Sequence, residues 1–199
     1  MSYYKQYVSE RSDSKLKMLS ECEKEKLSKG RRYRNELNRR MLDAAWMGEV
    51  EVVQDLLSLG VDVDARDSEH DETALMLASR KNHTQIAEYL INSGANVHAT
   101  DRFGKSALSY ASRAGANDII RILINHGSAV DATDDDGNSS LFHAITGGHN
   151  DTTLLLINSG ANVNRINLAR ERPLDVAESD GAEPVIDILK QHGAIRSTE

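Results

Sequence analysis

The sequence predicts an all-α solenoid, a stack of helix-turn-helix units that carry projecting β-hairpin fingers and follow an N-terminal helical extension. One observation behind this is a regular series of glycines, which follow one another at intervals of 34, 33, 33 and 33 residues. Another is the run of apolar residues at helical spacing before each of these glycines. A fixed period of about 20 to 50 residues indicates a repeat architecture. The periodic glycines are Gly60, Gly94, Gly127, Gly160 and Gly193.

The first 40 residues differ in charge from the rest of the chain. They hold 12 Lys/Arg and 6 Asp/Glu, a net charge of +6, whereas the remainder holds 12 basic and 25 acidic residues and brings the total to −7. One helix is expected from a cap near Ser12 to Gly30, and a second from about Arg31. Residues 1–36 are therefore predicted to be a basic helical extension that caps the stack. An arm that binds a partner protein, a nucleic acid or a membrane is the alternative.

Each complete period is predicted to begin with a short helix. Thr73, Ser106 and Ser139 carry hydroxyls suited to capping the exposed amides of a helix N-terminus. The segments that follow them read A-L-M-L-A-S, A-L-S-Y-A-S and S-L-F-H-A-I. Their small residues stand where neighbouring helices must approach each other closely.

A turn and a second helix are predicted to complete the period. In the third repeat the turn is expected at Gly115-Ala116, and Ile119, Ile120 and Leu123 follow at helical spacing. The helix is expected to end at the periodic glycine, which readily adopts the left-handed conformation. The next stretch is polar and contains a glycine, so it is expected to form a hairpin finger.

These residues resemble the ankyrin repeat, whose pattern runs D-x-x-G-x-T-P-L-H-x-A-A-x-x-G-H, continues as a second helix and ends in G-A-D-V-N-A. The resemblance covers about residues 37–195 and implies a domain at 37–199 of stacked L-shaped units, which are stable only against their neighbours. The first unit lacks a finger and the last is expected to cap the stack. The implied repeats are at about 37–65, 66–99, 100–132, 133–165 and 166–195.

Several positions depart from the family pattern. The proline of the T-P-L-H stretch survives only as Pro173, and Asp71 and Arg170 stand where a finger glycine is expected. One extra residue lies between Asp67 and Thr73, which accounts for the single interval of 34. These departures predict an array less stable than an idealised one, with a distorted first finger.

The resemblance also implies where a partner protein binds. Partners of ankyrin repeats usually contact the finger tips and the inner-helix residues just before the turn. The corresponding candidates are Trp46, Met47, Arg66, Glu69, Arg80, Lys81, Arg102, Phe103, Lys105, Arg113, Asp135, Asp136 and Asn138. The same carry-over reaches Ser68, Glu72, Thr146, Leu168, Ala169, Ser179 and Asp180.

The charges of these candidates change along the stack. The second and third repeats supply Arg and Lys, and the fourth supplies the acidic pair Asp135 and Asp136. Trp46 and Phe103 are large apolar side chains of a kind enriched at binding hot spots. We therefore expect a partner segment with an acidic stretch and an apolar anchor, and with a basic stretch toward the C-terminal repeats. Surface charge that alternates for solubility alone is the other interpretation.

The sequence offers no pattern for catalysis or for a cofactor. It has one cysteine, Cys22, and seven histidines without zinc-ligand spacing. The acidic run at 134–136 resembles a calcium loop, but Ala132 and His143 occupy two of the ligand positions. Neither a G-x-x-x-x-G-K-S/T loop nor a G-x-S-x-G elbow is present. We expect no enzyme activity, cofactor, metal or small-molecule substrate.

The bulk properties favour a cytoplasmic protein. No apolar run reaches the roughly 18 residues that a membrane span needs, and the first residues lack a secretory apolar segment. We expect a monomer that binds neither membrane nor nucleic acid. The leading interpretation is a non-catalytic protein–protein interaction module, which is an adaptor, scaffold or inhibitor. The alternatives are an ankyrin-type effector acting in a host cell and a regulatory nucleic-acid binder that uses the basic N-terminal segment.

Overall fold

The computed structural model describes residues 30–197, and within this range the chain forms ten α-helices in five antiparallel pairs. The helix predicted from Ser12 to Gly30 lies outside the described residues. The first helix of each pair is here called an inner helix and the second an outer helix. The helices are α1 Arg31–Met47, α2 Val50–Ser58, α3 Ala74–Arg80, α4 Thr84–Asn92, α5 Ala107–Ala114, α6 Asn117–Asn125, α7 Ser140–Thr146, α8 Asn150–Asn158, α9 Pro173–Ser179 and α10 Glu183–Gln191.

The helices stack in two parallel rows. Each inner helix packs against the inner helices before and after it, and the outer helices do the same in their own row. Small side chains allow the inner row to pack closely, since Ala44, Ala78, Ala111, Ala144 and Ala177 are fully buried. This arrangement confirms the predicted all-α repeat solenoid, in which contact with neighbours buries the apolar face of each unit.

Leucine at one repeated position fills the space between the two rows. The last turn of every outer helix carries a fully buried leucine, followed four residues later by a periodic glycine with φ between 81° and 93°. The glycines thus end the outer helices in the left-handed conformation that the sequence predicted. The five leucines are Leu56, Leu90, Leu123, Leu156 and Leu189.

The fingers are tighter than the expected β-hairpins. They span residues 66–73, 100–106, 133–139 and 166–172. In the described part of the chain the first three are each closed by one isolated antiparallel bridge rather than by paired strands. Backbone hydrogen bonds link consecutive fingers, because the amide of Arg102 donates to His70 and that of Asp135 donates to Phe103, each at 3.0 Å. The fingers therefore form one connected edge of the stack.

The first finger accommodates its extra residue in the loop. The bridge joins Arg66 to Thr73, one residue further apart than the pair Thr100 and Ser106 in the next finger. Asp71 and Arg170 take φ of 64° at the positions of the missing glycines. Non-glycine residues adopt this region at a steric cost, which at Asp71 agrees with the expected distortion of the first finger.

Two of the three predicted helix caps form. The hydroxyl of Thr73 accepts from the Met76 amide at 3.4 Å, and that of Ser106 accepts from the Ser109 amide at 3.3 Å. The prediction for Ser139 was wrong, because its hydroxyl makes no cap hydrogen bond and is buried without a partner among the described residues. In its repeat Phe142 occupies the position of Met76 and Ser109.

Alanine substitutions at Ser106 and Ser139 should therefore give different results. Ser106→Ala removes a formed cap and is expected to cost about 0.5–1 kcal/mol. Ser139→Ala removes a buried hydroxyl that lacks a partner, so its effect should be within about 0.5 kcal/mol of zero or stabilising. Urea denaturation of the two variants checks this, and an equal loss at both positions would contradict the cap assignment.

The inner helices at the two ends of the stack differ in length. Helix α1 runs without a break from Arg31 to Met47, past the boundary predicted between residues 36 and 37, and buries Leu37, Met41 and Ala44 on one side. At the other end Pro173 begins α9, and the amide of Arg172 donates to Asp175 at 2.7 Å. Between residues 30 and 197, no helix has the length and apolar character to cross a membrane.

Candidate functional site

A groove runs along the stack between the fingers and the C-terminal ends of the inner helices. It contains a first hollow of about 960 Å³, a middle hollow of about 500 Å³ and a third hollow of about 400 Å³. Glu72 and Arg80 line both the first and the middle hollow. Lys105, Arg113 and His143 line both the middle and the third. Each pair of neighbouring hollows therefore shares part of its lining.

A stack of cationic and aromatic side chains lies between the first hollow and the middle hollow. The guanidinium of Arg80 lies 4.2 Å from the ring centre of Tyr110 and 5.7 Å from that of Trp46. The ammonium of Lys81 lies 3.9 Å from the Trp46 ring centre. Arg80 also pairs with the carboxylate of Glu72. Its positive charge is therefore compensated by Glu72 within the fold. The sequence alone did not indicate this pairing.

Tyr110 connects two neighbouring repeats below this stack. Its hydroxyl lies 2.7 Å from Glu72 Oε1 and 2.6 Å from Asp101 Oδ2, so its single proton is shared between the two carboxylates. Burial, followed by these two hydrogen bonds, raises the pKa of the Tyr110 hydroxyl well above its ordinary value. The phenol is therefore protonated at neutral pH and holds the two carboxylates in place. Glu72 was expected at an exposed finger tip, but it is buried in this network.

Arg66 is a second cation that was predicted to bind the partner and that forms hydrogen bonds within the fold. One nitrogen of its guanidinium donates to the carbonyl of Asp71 at 2.9 Å, to the carboxylate of Asp71 at 2.8 Å and to the carbonyl of Thr100 at 2.7 Å. These bonds tie the first finger to the second. Arg66 lines the first hollow, where it shapes the wall while its charge is largely compensated.

The middle hollow is where exposed apolar surface meets free positive charge. Phe103 is 48% exposed, and its ring centre lies 6.3 Å from that of His70 and 5.9 Å from the Lys105 ammonium. Neither Lys105 nor Arg113 forms an ion pair with any residue between 30 and 197. The groove therefore presents an apolar ring beside two uncompensated cations.

A buried histidine lies under these cations. His143 Nε2 is 3.0 Å from Asp134 Oδ2, and the side chains are 7% and 1% exposed. Burial lowers the pKa of His143 below its ordinary value, Asp134 opposes this, and the positive charges of Lys105 and Arg113 lower it further. His143 is therefore neutral at neutral pH, and it receives positive potential from both cations.

The third hollow is polar on one wall and apolar at its rim. Asp136 and Asn138 line it together with Leu168, the tip of the last finger, which is 75% exposed. The side-chain amide of Asn167 donates to Asn138 at 3.0 Å. This hollow thus offers a second exposed apolar side chain beside an acidic finger.

The structure brings most of the predicted binding residues to the groove. Those that line one of the three hollows are Trp46, Arg66, Glu69, Arg80, Phe103, Lys105, Arg113, Asp136 and Asn138. Met47, Lys81, Arg102 and Asp135 line none of the three, although all four are exposed. Met47 and Lys81 extend the surface beyond Trp46, and Arg102 and Asp135 lie on the finger tips.

Sequence reasoning missed the aspartates at the base of the fingers. The Oδ1 atom of Asp101 accepts from the amides of Phe103 and Lys105, and Asp134 does the same for Asp136 and Asn138. These residues recur with the same period as the glycines, a signal that could have identified them. The series is Asp67, Asp101, Asp134 and Asn167. Tyr110 and His143 had no such periodic signal.

One trio in the first finger has the composition of a metal site. Asp67, His70 and Glu72 place possible ligand atoms within 4.8 Å of one another. However, Asp67 Oδ1 accepts from the amides of His70 and Glu72, at 2.8 and 3.0 Å. Glu72 is held by Arg80 and Tyr110. The trio therefore fits a network that closes the loop better than a cation site.

Comparison with known proteins identifies the repeats. The family model for ankyrin repeats, in three copies, matches residues 41–134 and 75–167, which together span more than half of the chain. Ankyrin repeat domain-containing protein 40 of Mus musculus and that of Homo sapiens are each 38% identical to it over 61 residues, or 31% of this chain. Ankyrin repeat and KH domain-containing protein mask-1 of Caenorhabditis elegans is 45% identical over 56 residues, or 28% of this chain. The matched segments cover only 17% of the two mammalian proteins and 2% of the nematode protein.

Proposed function

The chain belongs to the ankyrin repeat family, and from this we propose that it is a non-catalytic module that holds a segment of another protein in the groove. The family generally provides interaction surfaces rather than active sites. The observation that carries the proposal is the exposed ring of Phe103 beside Lys105 and Arg113, which form no ion pair within the described residues 30–197. Adaptor, scaffold and inhibitor are all roles that such a module can serve.

Two apolar side chains are the proposed anchors. Phe103 and Leu168 are 48% and 75% exposed and lie on the rim of the groove, in fingers two repeats apart. Trp46, which the sequence suggested as an anchor, has its ring covered by Lys81 and lies close to Arg80. Buried aromatic and aliphatic anchors dominate the energy of most protein interfaces. We therefore assign the main apolar contacts to Phe103 and Leu168 rather than to Trp46.

The spacing of these anchors describes the partner segment. Helices pack about 8–10 Å apart, so two repeats separate Phe103 from Leu168 by roughly 20 Å. An extended chain advances about 3.3 Å per residue, and this distance corresponds to about six residues. The proposed partner segment is thus extended, with two apolar side chains about six residues apart. Between them it carries acidic groups that face Lys105 and Arg113, and a basic group that faces Asp136.

The proposal extends to the setting in which the module works. We propose a cytoplasmic monomer that binds neither membrane nor small molecules, as the composition and the single cysteine suggested. A role for the basic N-terminal segment in binding nucleic acid, and one for the chain as an effector in a host cell, stay as predictions.

Affinity capture with matched variants tests the groove. The full chain, the double variant Phe103→Ala/Leu168→Ala and the control Leu154→Ala are immobilised in turn, because Leu154 is also an exposed leucine but lies on outer helix α8. We expect the double variant to bind the captured protein at least tenfold more weakly, in line with a lost anchor of about 1.4 kcal/mol or more. The control should bind within twofold of the wild type. Equal binding by all three chains, or an equal loss in the control, would contradict the proposal.

A further inference from the structure

We propose that Lys105 and Arg113 form an anion subsite above His143, and that this subsite takes a phosphorylated side chain of the bound protein. The inference rests on the proposed function, because it specifies one contact within the groove. The three residues come from different elements. Lys105 is at the base of the second finger, Arg113 is near the end of α5, and His143 is inside α7.

The position of these residues in the groove supports a subsite. Lys105, Arg113 and His143 are the residues common to the linings of the middle and third hollows. A group at the junction of the two hollows would therefore lie near both cations. The Phe103 ring forms one rim of the middle hollow, so an anchored apolar side chain would bring the neighbouring residue of the partner to the two cations.

Most of the carboxylates that line the two hollows are held by other groups. Glu72 is held by Arg80 and Tyr110. Asp134 is 1% exposed and contacts His143, and Glu171 accepts from Asn167 at 3.2 Å. Asp136 and Glu171 are exposed carboxylates of the third hollow, whereas within residues 30–197 no exposed carboxylate lines the middle hollow.

The two positive charges also act together on His143. Both Lys105 and Arg113 act on its imidazole in the same direction and lower its pKa. Burial keeps the imidazole neutral although Asp134 contacts Nε2, so the positive charge of the subsite comes from the two side chains above it. An anion placed between them would meet positive potential from two sides.

A phosphate matches this arrangement better than a carboxylate does. A phosphorylated side chain carries about −1.5 to −2 charges at neutral pH and three acceptor oxygens. The arginine fork can bind two of those oxygens at once, and the lysine supplies a mobile point charge to the third. A single carboxylate would leave one of the two cations uncompensated. The middle hollow, at about 500 Å³, has ample room for a phosphoryl group.

The test begins with small probes and the isotope-labelled full chain. Inorganic phosphate, O-phosphoserine, serine and aspartate are titrated while the NMR signals of the Arg113 side chain and the His143 ring are followed. We expect saturable shifts with phosphate and O-phosphoserine, and binding of aspartate at least tenfold weaker. Serine should give none. An absence of saturable shifts, or equal binding of aspartate and O-phosphoserine, would overturn the phosphate subsite.

Matched variants locate the binding. Lys105→Gln/Arg113→Gln should weaken O-phosphoserine binding at least tenfold, and Arg121→Gln, an exposed arginine of outer helix α6, should leave it unchanged. An unchanged thermal midpoint of the double variant shows that the fold is intact. Equal effects of the two substitutions, or none, would mean that phosphate binds to surface charge in general.

Phosphatase treatment separates this inference from the proposed function. When the captured protein is dephosphorylated before capture, binding should fall at least tenfold if its phosphoryl group occupies the subsite. If binding persists but Phe103→Ala/Leu168→Ala still abolishes it, the phosphate subsite is wrong while the groove proposal stands. If neither treatment nor variant changes binding, both proposals are wrong.

Discussion

Replacing Leu123 by alanine is expected to lower the free energy of unfolding by about 2–5 kcal/mol, because it leaves a cavity in the middle of the stack. Leu123 is fully buried near the end of outer helix α6. Its repeat packs against neighbours on both sides, so the loss weakens two interfaces. For a chain of this size, a loss of this magnitude corresponds to a fall of about 5–15 °C in the thermal midpoint.

The same substitution at Leu189 provides the control. Leu189 is equally buried at the equivalent position of the last repeat, which has a neighbour on one side only within the described range. Leu189→Ala should release the last helix pair locally, with fast amide exchange confined to α9 and α10. Leu123→Ala should instead speed exchange in the central repeats. Identical exchange patterns for the two variants would contradict nearest-neighbour stacking.

Gly115→Ala is the second substitution with a large expected effect. Gly115 ends α5 with a φ of 69°, and an added Cβ would lie 2.7 Å from the His149 ring. That ring cannot easily move away, since Nε2 donates to the Arg113 carbonyl at 3.1 Å. The left-handed conformation and the clash together should cost about 2–4 kcal/mol. Urea denaturation with linear extrapolation measures the loss.

Gly148→Ala separates the cost of the left-handed conformation from the cost of the clash with His149. Gly148 occupies the same turn position one repeat later, with a φ of 75°, but its added Cβ would meet nothing within 4 Å. The free energy of unfolding of this variant should fall only by the cost of the left-handed conformation, about 1 kcal/mol. Adding His149→Ala to Gly115→Ala should recover part of the larger loss. If Gly115→Ala and Gly148→Ala are equally destabilised, the histidine contact contributes nothing.

The repeat organisation could be predicted because it depends on local and periodic signals. The glycines marked the ends of the outer helices, and Thr73 and Ser106 marked the beginnings of two inner helices. The geometry of the fingers was harder to predict from the sequence, because a loop can accommodate one extra residue in several conformations. The missing cap at Ser139 could not be predicted, because Ser139 carries the same kind of hydroxyl as Thr73 and Ser106.

The candidate site could be predicted in outline but not in its charges. The family resemblance placed Phe103, Lys105 and Arg113 on the binding surface, and the structure brings them together in one hollow. It could not show that Arg66 and Arg80 are engaged within the fold. Their partners come from neighbouring repeats and from the far side of a finger loop, so no short-range pattern connects them. The separation of free from engaged cations therefore required the structure.

Hydrogen exchange of the chain with and without the captured protein tests whether a partner segment lies in the groove. If it does, exchange should be slower at amides of the second and fourth fingers, near Phe103 and Leu168, and at the end of α5 near Arg113. Outer helices α4, α6 and α8 should exchange as they do in the free chain. Slower exchange confined to those outer helices, with the fingers unchanged, would contradict binding in the groove.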